Sequence, residues 1–179
     1  MDSEEIVPGA RVIYGESLSS NIYLLEDERR GTLAIDSGAY PAIEKEPSFL
    51  ILTHAHLDHT GGVGEKWKNV YLHKDDFREA PYFQIPKQAK PIDFKSISWG
   101  KFMLEVIHTP GHTLGSVCLF ERKTGILFSG DTIFADGIGR MDLGGDEMLM
   151  RKSLELVGKL GWKILCPGHG RILNERALG

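Results

Sequence analysis

The feature that most constrains this chain is the stretch 53–62, in which three histidines and one aspartate lie within six positions. It follows a four-residue apolar run and ends in two glycines, a composition typical of a buried strand that leads into a loop. Imidazole and carboxylate groups are good ligands for divalent metals. Residues two apart in an extended segment point to the same side, so His54 and His56 are predicted to bind one ion together. Asp58 and His59 follow where the chain turns, and we expect them to face a neighbouring ion.

Length and composition indicate one domain over residues 1–179, with 41% hydrophobic and 26% charged residues. The formal net charge of -4 argues against nucleic acid or an anionic membrane as the main partner. The acidic start has no signal-peptide pattern, and no apolar run approaches the roughly 20 residues of a membrane span. We therefore expect a cytoplasmic protein in which Cys118 and Cys166 are buried free thiols.

The rest of the chain reads as short strands separated by turns, with few helices. Strands are predicted over 11–14, 21–26, 32–35, 49–52, 70–73, 101–107, 117–120, 126–129 and 162–166. The first three are close enough to form an antiparallel meander, and 117–129 reads as a hairpin. Helices are predicted to begin at 64–68 and to cover 74–80 and 146–160. The proline-containing segment 81–97 is either a lid at the site mouth or a plain surface connection.

Further potential ligands follow later strands. His112, Asp131 and His169 each follow a predicted strand, in an order that allows them to converge at one end of a sheet sandwich. Asp36, after the strand 32–35, is either a turn former or a carboxylate that supports a ligand loop. The two remaining histidines at strand ends, His73 and His108, are predicted to be hydrogen-bonded structural imidazoles.

This pattern, from His54-x-His56-x-Asp58-His59 through the three later residues, resembles the metallo-β-lactamase superfamily. The resemblance implies a four-layered αβ/βα sandwich of two mixed β-sheets, with helices outside and metals at one edge. It also implies a role for Asp36 as support for the ligand loop. The ligand sets implied are His54, His56 and His112 for one ion, Asp58, His59 and His169 for a second, and Asp131 bridging both.

Within the superfamily, the sequence is most similar to the glyoxalase II group and its small single-domain relatives. The similarity lies in 53–62, 108–113, 129–134 and 137–143, and it implies that Arg140 binds the anionic thiol portion of a substrate. Class B β-lactamases usually have cysteine at the position of Asp131, which argues against antibiotic hydrolysis. Glyoxalase II enzymes also carry a helical C-terminal domain that this sequence does not match, so the metal site is better supported than the substrate.

The expected activity is hydrolysis of a thioester or ester, with an anionic thioester as the small-molecule partner. Two divalent ions, zinc above all but also iron or manganese, can share a hydroxide that is nucleophilic at neutral pH. Asp58 is the candidate for shuttling a proton in addition to its role as a ligand. The alternative is a persulfide dioxygenase, which by resemblance would hold one iron with His54, His112 and Asp131. A third reading is a metal-binding protein without turnover, and the acidic balance gives RNA processing little support.

Overall fold

In the computed structural model, which describes residues 3–174, two mixed β-sheets pack face to face. The first sheet has seven strands in sequence order. These are β1 (Glu4–Val7), β2 (Ala10–Ile13), β3 (Ile22–Asp27), β4 (Gly31–Ile35), β5 (Phe49–Ile51), β6 (Val70–Leu72) and β7 (Lys90–Pro91). The strands β1 to β4 form the predicted antiparallel meander extended by one strand, and β4 to β7 are parallel.

The second sheet has six strands in the order β13-β12-β11-β10-β9-β8. These are β8 (Ser96–Trp99), β9 (Phe102–His108), β10 (Val117–Glu121), β11 (Ile126–Gly130), β12 (Ile164–Pro167) and β13 (Leu173–Asn174). The predicted hairpin is β10 with β11, and β11 pairs in parallel with β12. Because β10 is antiparallel to both β9 and β11, the strands β9, β11 and β12 all end at the same edge.

The main core lies between the sheets, where apolar side chains of both inner faces interdigitate. Tyr23 of β3 meets Phe128 of β11 edge to face, with ring centroids 5.1 Å apart. Outside the second sheet lies α2 (Glu147–Gly158), whose Val157 packs with Phe120 and Leu127. Asp146 caps this helix by accepting a hydrogen bond from the Leu149 N–H at 2.8 Å. The predicted helix over 146–160 is thus present with slightly shorter bounds.

The outer face of the first sheet is covered by loops rather than by a long helix. Apolar side chains from these loops, including Val63, Trp67 and Ile85, pack against a second cluster of buried residues. The helix predicted to begin at 64–68 is wrong, because the segment forms a turn closed by the Trp67 N–H on the Gly64 carbonyl. The predicted helix over 74–80 is reduced to one 3₁₀ turn, Lys74–Asp76.

The two sheets bring several strand ends to one edge of the molecule. The strands β4 and β5 run parallel, so the residues that follow them lie side by side. A short helix, α1 (Leu57–Thr60), comes after β5 where a turn was predicted. Within residues 3–174, no helix has the length and apolar character needed to cross a bilayer. Cys118 and Cys166 are buried free thiols, as predicted.

Candidate metal centre

Three histidines from two loops meet at the shared edge of the sheets. The Nε2 atom of His112 lies 2.8 Å from His56 Nδ1 and 3.2 Å from His54 Nε2. All three side chains are buried. Three imidazole nitrogens that converge on one point form a set suited to Zn²⁺, iron or copper. The extended backbone between His54 and His56 therefore brings them together as the sequence predicted.

A second group of ligands lies next to the first. His169 Nε2 is 3.1 Å from Asp58 Oδ2, and His59 Nε2 is 3.9 Å from the same oxygen. Asp131 stands between the two groups, with Oδ1 3.2 Å from His59 Nε2 and Oδ2 3.5 Å from His112 Nε2. The structure thus brings together all seven residues predicted as ligands, in overlapping groups, with Asp131 near both His59 and His112.

Side-chain hydrogen bonds orient two of the imidazoles. His59 Nδ1 donates to Asp36 Oδ2 at 2.8 Å, and this leaves Nε2 facing Asp131. Thr53 donates to the same carboxylate from its hydroxyl at 2.9 Å and from its N–H at 2.8 Å. The Thr53 oxygen then accepts from His54 Nδ1 at 3.0 Å, which leaves His54 Nε2 free to ligate. Asp36 therefore controls the tautomers of two predicted ligands, one directly and one through a hydroxyl.

Backbone carbonyls orient two other imidazoles. His112 Nδ1 donates to the Arg140 carbonyl at 2.6 Å, and His56 Nε2 contacts the Leu143 carbonyl at 3.4 Å. In each ring, the opposite nitrogen is the one that faces the centre. Each of the four histidines in the buried part of the site thus has one ring nitrogen held by a protein group and the other directed towards the centre.

Two buried atoms test whether the site fits a metal. Within residues 3–174, His59 Nε2 and Asp131 Oδ1 are among five buried side-chain atoms without a hydrogen-bond partner. They face each other across 3.2 Å. Buried polar atoms normally have partners because an unsatisfied one is costly. A divalent ion would satisfy both atoms, so the residues present fit the group that they are predicted to bind.

The charges of the site also favour a cation. Burial, with the neighbouring His59 and His112, holds the pKa of His54 well below its usual range, so this ring is neutral at pH 7. Burial alone would raise the pKa of Asp131, but His59, His112 and His169 lower it to about 2. Burial alone would lower the pKa of His59, but the carboxylates of Asp36 and Asp131 raise it well above its usual range. A divalent ion replaces the proton that these carboxylates favour.

One prediction concerns the pH at which the metal-free protein loses stability. Burial and the adjacent His112 lower the pKa of His56 to about 4. Because this value lies below the unfolded value of about 6.5, the stabilisation is complete above pH 6.5 and is lost as the pH falls towards 4. The loss amounts to about 2–3 kcal/mol. His59 acts in the opposite direction, because a raised pKa stabilises the fold below pH 6.5.

Two measurements check this prediction. In NMR titrations of the chelator-treated protein, the ring of His56 should remain neutral down to about pH 4. The unfolding free energy of His56→Gln should fall less between pH 7 and 4 than that of the wild type. A His56 midpoint near 6.5 would contradict the prediction.

A cavity of about 670 Å³ opens above the two ligand groups. His56, Asp58, His112, Asp131 and His169 lie at its base, and loops around 17, 40, 82 and 138–143 form its walls. Segment 81–97 therefore reaches the mouth of the site, through Tyr82, in addition to contributing β7 and the start of β8. Arg140 lines the cavity, with its guanidinium paired to the two carboxylate oxygens of Asp142.

The sequence did not reveal several residues that hold the site together. Asn21 donates from its side chain to the Pro167 and Gly170 carbonyls at 3.1 and 2.9 Å, which fixes the His169 loop against the opposite sheet. Asp76 is fully buried and accepts three hydrogen bonds from ligand loops. Both residues lie outside any motif, so no local pattern marks them.

The two histidines predicted to be structural lie close together on the surface. The rings of His73 and His108 stack with centroids 4.0 Å apart. Each also has a hydrogen bond, from the Asp75 N–H to His73 Nδ1 and from His108 Nε2 to the Leu114 carbonyl. With Asp75 they form a further group of potential ligand atoms. His73 Nδ1 and His108 Nε2 lie 3.7 and 3.9 Å from the same Asp75 oxygen, and the hydrogen bonds of both rings agree with the predicted structural role.

With this geometry in view, comparison with known families identifies the chain. The family model described as the metallo-β-lactamase superfamily matches residues 16–169. The chain belongs to this superfamily. Relatives of the chain in the superfamily include a probable metallo-hydrolase of Bacillus subtilis, 34% identical over 69% of each protein. A hydroxyacylglutathione hydrolase of Hahella chejuensis is 38% identical over 62% of this chain and 43% of its own length.

Solved structures of superfamily members have the same fold. The BLEG-1 B3 metallo-β-lactamase superposes with a TM-score of 0.77 and 30% identity, covering 93% of this chain and 94% of that one. TTHA1623, solved in a di-iron-bound form, gives a TM-score of 0.73 with 27% identity, covering 92% of this chain and 94% of that one. The predicted fold class, two mixed sheets in a metallo-β-lactamase sandwich, is confirmed.

Proposed function

We propose that this protein is a two-metal hydrolase of thioesters or esters. The observation that carries the proposal is the meeting of seven ligand side chains in two adjoining groups, with Asp131 between them. Hydroxyacylglutathione hydrolases among the relatives support thioester chemistry, and the metallo-hydrolase names support hydrolysis more generally. The di-iron form of a structural neighbour supports a centre of two ions.

The chain's own residues would hold the ions and define the reaction space. His54, His56 and His112 would hold one ion, Asp58, His59 and His169 the other, and Asp131 both. When bound, such ions supply a Lewis acid and a hydroxide at neutral pH, usually zinc in this ligand type, although iron and manganese are compatible. The cavity admits a substrate carbonyl beside His112 and Asp131, while the buried ligands keep water away from the far side of the centre.

Asp58 has the most exposed position among the acidic ligands. Its side chain is 33% exposed and lines the cavity. Burial would raise its pKa, but the hydrogen bond from His169 lowers it, so Asp58 is ionised at neutral pH. An ionised carboxylate in the cavity lining is placed to accept a proton during the reaction. A thiolate leaving group needs little proton assistance, because an ordinary thiol has a pKa of about 8.5.

Arg140 is the proposed contact for an anionic leaving group. Its side chain is 63% exposed and paired with Asp142, so an anionic substrate must compete with that carboxylate. We expect Arg140→Ala to raise KM by about 3–10-fold for an anionic thioester, since a solvent-exposed ion pair contributes only modestly to binding. KM for a neutral ester should stay constant. Asp142→Asn should lower KM for the anionic substrate, and equal effects on both substrates would exclude this role.

Metal analysis combined with activity assays tests the proposed function. Protein purified without added metal should contain two ions per chain and hydrolyse S-D-lactoylglutathione or a simple acyl thioester. Chelation should abolish the activity, and Zn²⁺, Mn²⁺ or Fe²⁺ should restore it. One iron per chain with O₂ uptake on glutathione persulfide would instead support the dioxygenase alternative. Turnover of a β-lactam but no thioester would also overturn the proposal.

A further inference from the structure

Apolar side chains surround the mouth of the cavity although they are exposed to solvent. Leu18, Tyr40 and Tyr82 are 82%, 73% and 69% exposed, and Leu57 and Ile138 are each more than 40% exposed. All five line the cavity above the candidate metal centre, and they come from four loops and the start of α1. Isolated exposed apolar residues are ordinary, but a group around a cavity is typical of a ligand-binding surface.

The backbone of two of these loops is held in an unfavourable conformation. Within residues 3–174, the non-glycine residues with positive φ are Ser17, Asp36 and Tyr82, at 57°, 61° and 63°. Two of them line the cavity, and the third supports the ligand loop beneath it. Such conformations are disfavoured for L residues and persist where the surrounding structure requires them, often at functional sites. The surrounding structure therefore fixes the backbone at Tyr82 and at Ser17, the residue before Leu18, and so holds both apolar side chains at the mouth.

The charges at the cavity offer little to a polyanionic ligand. Among the residues within 3–174 that line the cavity, Arg140 is the only charged one besides the predicted metal ligands. Its guanidinium already forms an ion pair with Asp142. The five exposed apolar side chains face the same space, and Ala39, Phe134 and Leu143 also line it. We infer that the substrate carries an extended apolar acyl group, aliphatic or aromatic, which lies against these five residues while its carbonyl reaches the centre. This inference rests on the proposed hydrolase function and narrows its substrate class.

Acyl thioesters of one thiol, N-acetylcysteamine, test this inference on the metal-loaded protein. From acetyl to octanoyl, kcat/KM should rise by up to about fourfold for each methylene, since full burial of a methylene favours binding by that factor. Leu18→Ser combined with Tyr82→Ser should reduce the octanoyl-to-acetyl ratio at least tenfold. Met148→Ser provides a matched control, because Met148 is 69% exposed but lies outside the cavity lining. It should leave the ratio unchanged.

The outcomes separate this inference from the proposed function. Hydrolysis with no dependence on chain length, or a preference for S-D-lactoylglutathione, would overturn the apolar acyl group while the hydrolase function stands. If neither thioesters nor esters are hydrolysed, the proposed hydrolase function is wrong. Calorimetry with octanoate and acetate then tests the apolar subsite independently of any turnover. Octanoate binding at least tenfold tighter, and weakened by the double variant, supports the subsite. Equal binding overturns it.

A different observation assigns a positioning role to Asp76. This buried carboxylate accepts from the Ala55 N–H at 3.0 Å and the Thr113 hydroxyl at 2.9 Å through Oδ2. Its Oδ1 accepts from the Gly115 N–H at 2.7 Å. A Cβ at 115 would lie 2.6 Å from the Asp76 carboxyl carbon, so a glycine at this position allows the carboxylate to lie close to the backbone. Ala55 separates two predicted ligands and Thr113 follows a third, His112. We propose that Asp76 fixes the relative position of these two loops, and thus of the three-histidine group.

Site-resolved metal titration tests this role, for example with the visible absorption of Co²⁺. Asp76→Asn places an amide N–H₂ against a donor and should weaken binding at the three-histidine group about 10–100-fold, with a smaller effect on the second group. Thr113→Val removes only the hydrogen bond from the Thr113 hydroxyl to Asp76. It should weaken metal binding at the three-histidine group less than Asp76→Asn does, and it keeps the test available if Asp76→Asn folds poorly. Asp75→Asn, the adjacent exposed carboxylate, is the control. Equal weakening at both groups, or none in either variant, would contradict a positioning role.

Discussion

Asp131→Asn should lower kcat/KM for thioester hydrolysis by at least about 1,000-fold and reduce the metal content below two ions per chain. The buried carboxylate faces His59 with one oxygen and His112 with the other. An amide removes the charge and one ligand atom while it retains the shape. Loss of one partner in a buried charged group costs about 3–5 kcal/mol, which corresponds to about three orders of magnitude.

The control for this experiment is Asp136→Asn, because Asp136 lies five residues further on and its side chain is 78% exposed. Metal content by mass spectrometry and activity should both match the wild type in this control. If Asp131→Asn kept two ions and more than a tenth of the activity, the bridging role would be wrong.

Gly168→Ala should lower activity by about 100-fold although it removes no functional group. An added Cβ would lie 2.2 Å from Asp131 Oδ1 and 2.7 Å from His59 Cε1. The backbone has no room to move away, because the Gly168 N–H donates to Gly130 and its carbonyl accepts from Asn21. The aspartate must therefore shift by about 1 Å, and a misplacement of that size can cost about 100-fold in rate. Overpacking should also lower the unfolding free energy by about 1–3 kcal/mol.

Gly137→Ala is the matched control, since nothing lies within 4 Å of the added Cβ. Metal affinity, activity and thermal unfolding should be measured for both variants. Wild-type metal affinity in Gly168→Ala would show that the loop accommodates the methyl group and that the packing argument is wrong.

The ligand residues were predictable from sequence because their chemistry and spacing form a local pattern. Three histidines and an aspartate within six positions already indicate a metal site, and the strand before them places it at a sheet end. His112, Asp131 and His169 needed the family pattern, since a single histidine or aspartate in a loop is not distinctive. The structure then brings all of them to the edge at which β9, β11 and β12 end.

The supporting contacts were not predictable, because most involve backbone atoms or distant partners. The Arg140 carbonyl that orients His112 belongs to the peptide chain and would be present with any side chain. Asp76 stands in a charged run, Lys74 to Asp76, that is typical of a surface turn, yet it is buried between ligand loops. Asn21 lies 146 positions before the carbonyl that it contacts. These contacts form only when the two sheets pack and bring residues distant in sequence together.

The strands that sequence reasoning omitted are short and lie at or near sheet edges. The strand β1 begins with two exposed glutamates, and β7 and β13 contain two residues each. Their conformation depends on a neighbouring strand to pair with rather than on alternation in their own side chains. The helix wrongly predicted at 64–68 is the opposite error, a predicted element that does not form. A few helix-forming residues after a glycine do not suffice for a helix, and the segment forms a turn instead.

One segment, 140–143, combines two separate tasks in its backbone and its side chains. The carbonyls of Arg140 and Leu143 contact the imidazoles of His112 and His56, whereas the side chains of the same two residues face the cavity. Substitutions at these two positions therefore change the side chains that line the cavity without removing the carbonyls that orient the histidines. Substrate specificity can thus be altered at 140 and 143 while the arrangement of the candidate metal ligands stays the same.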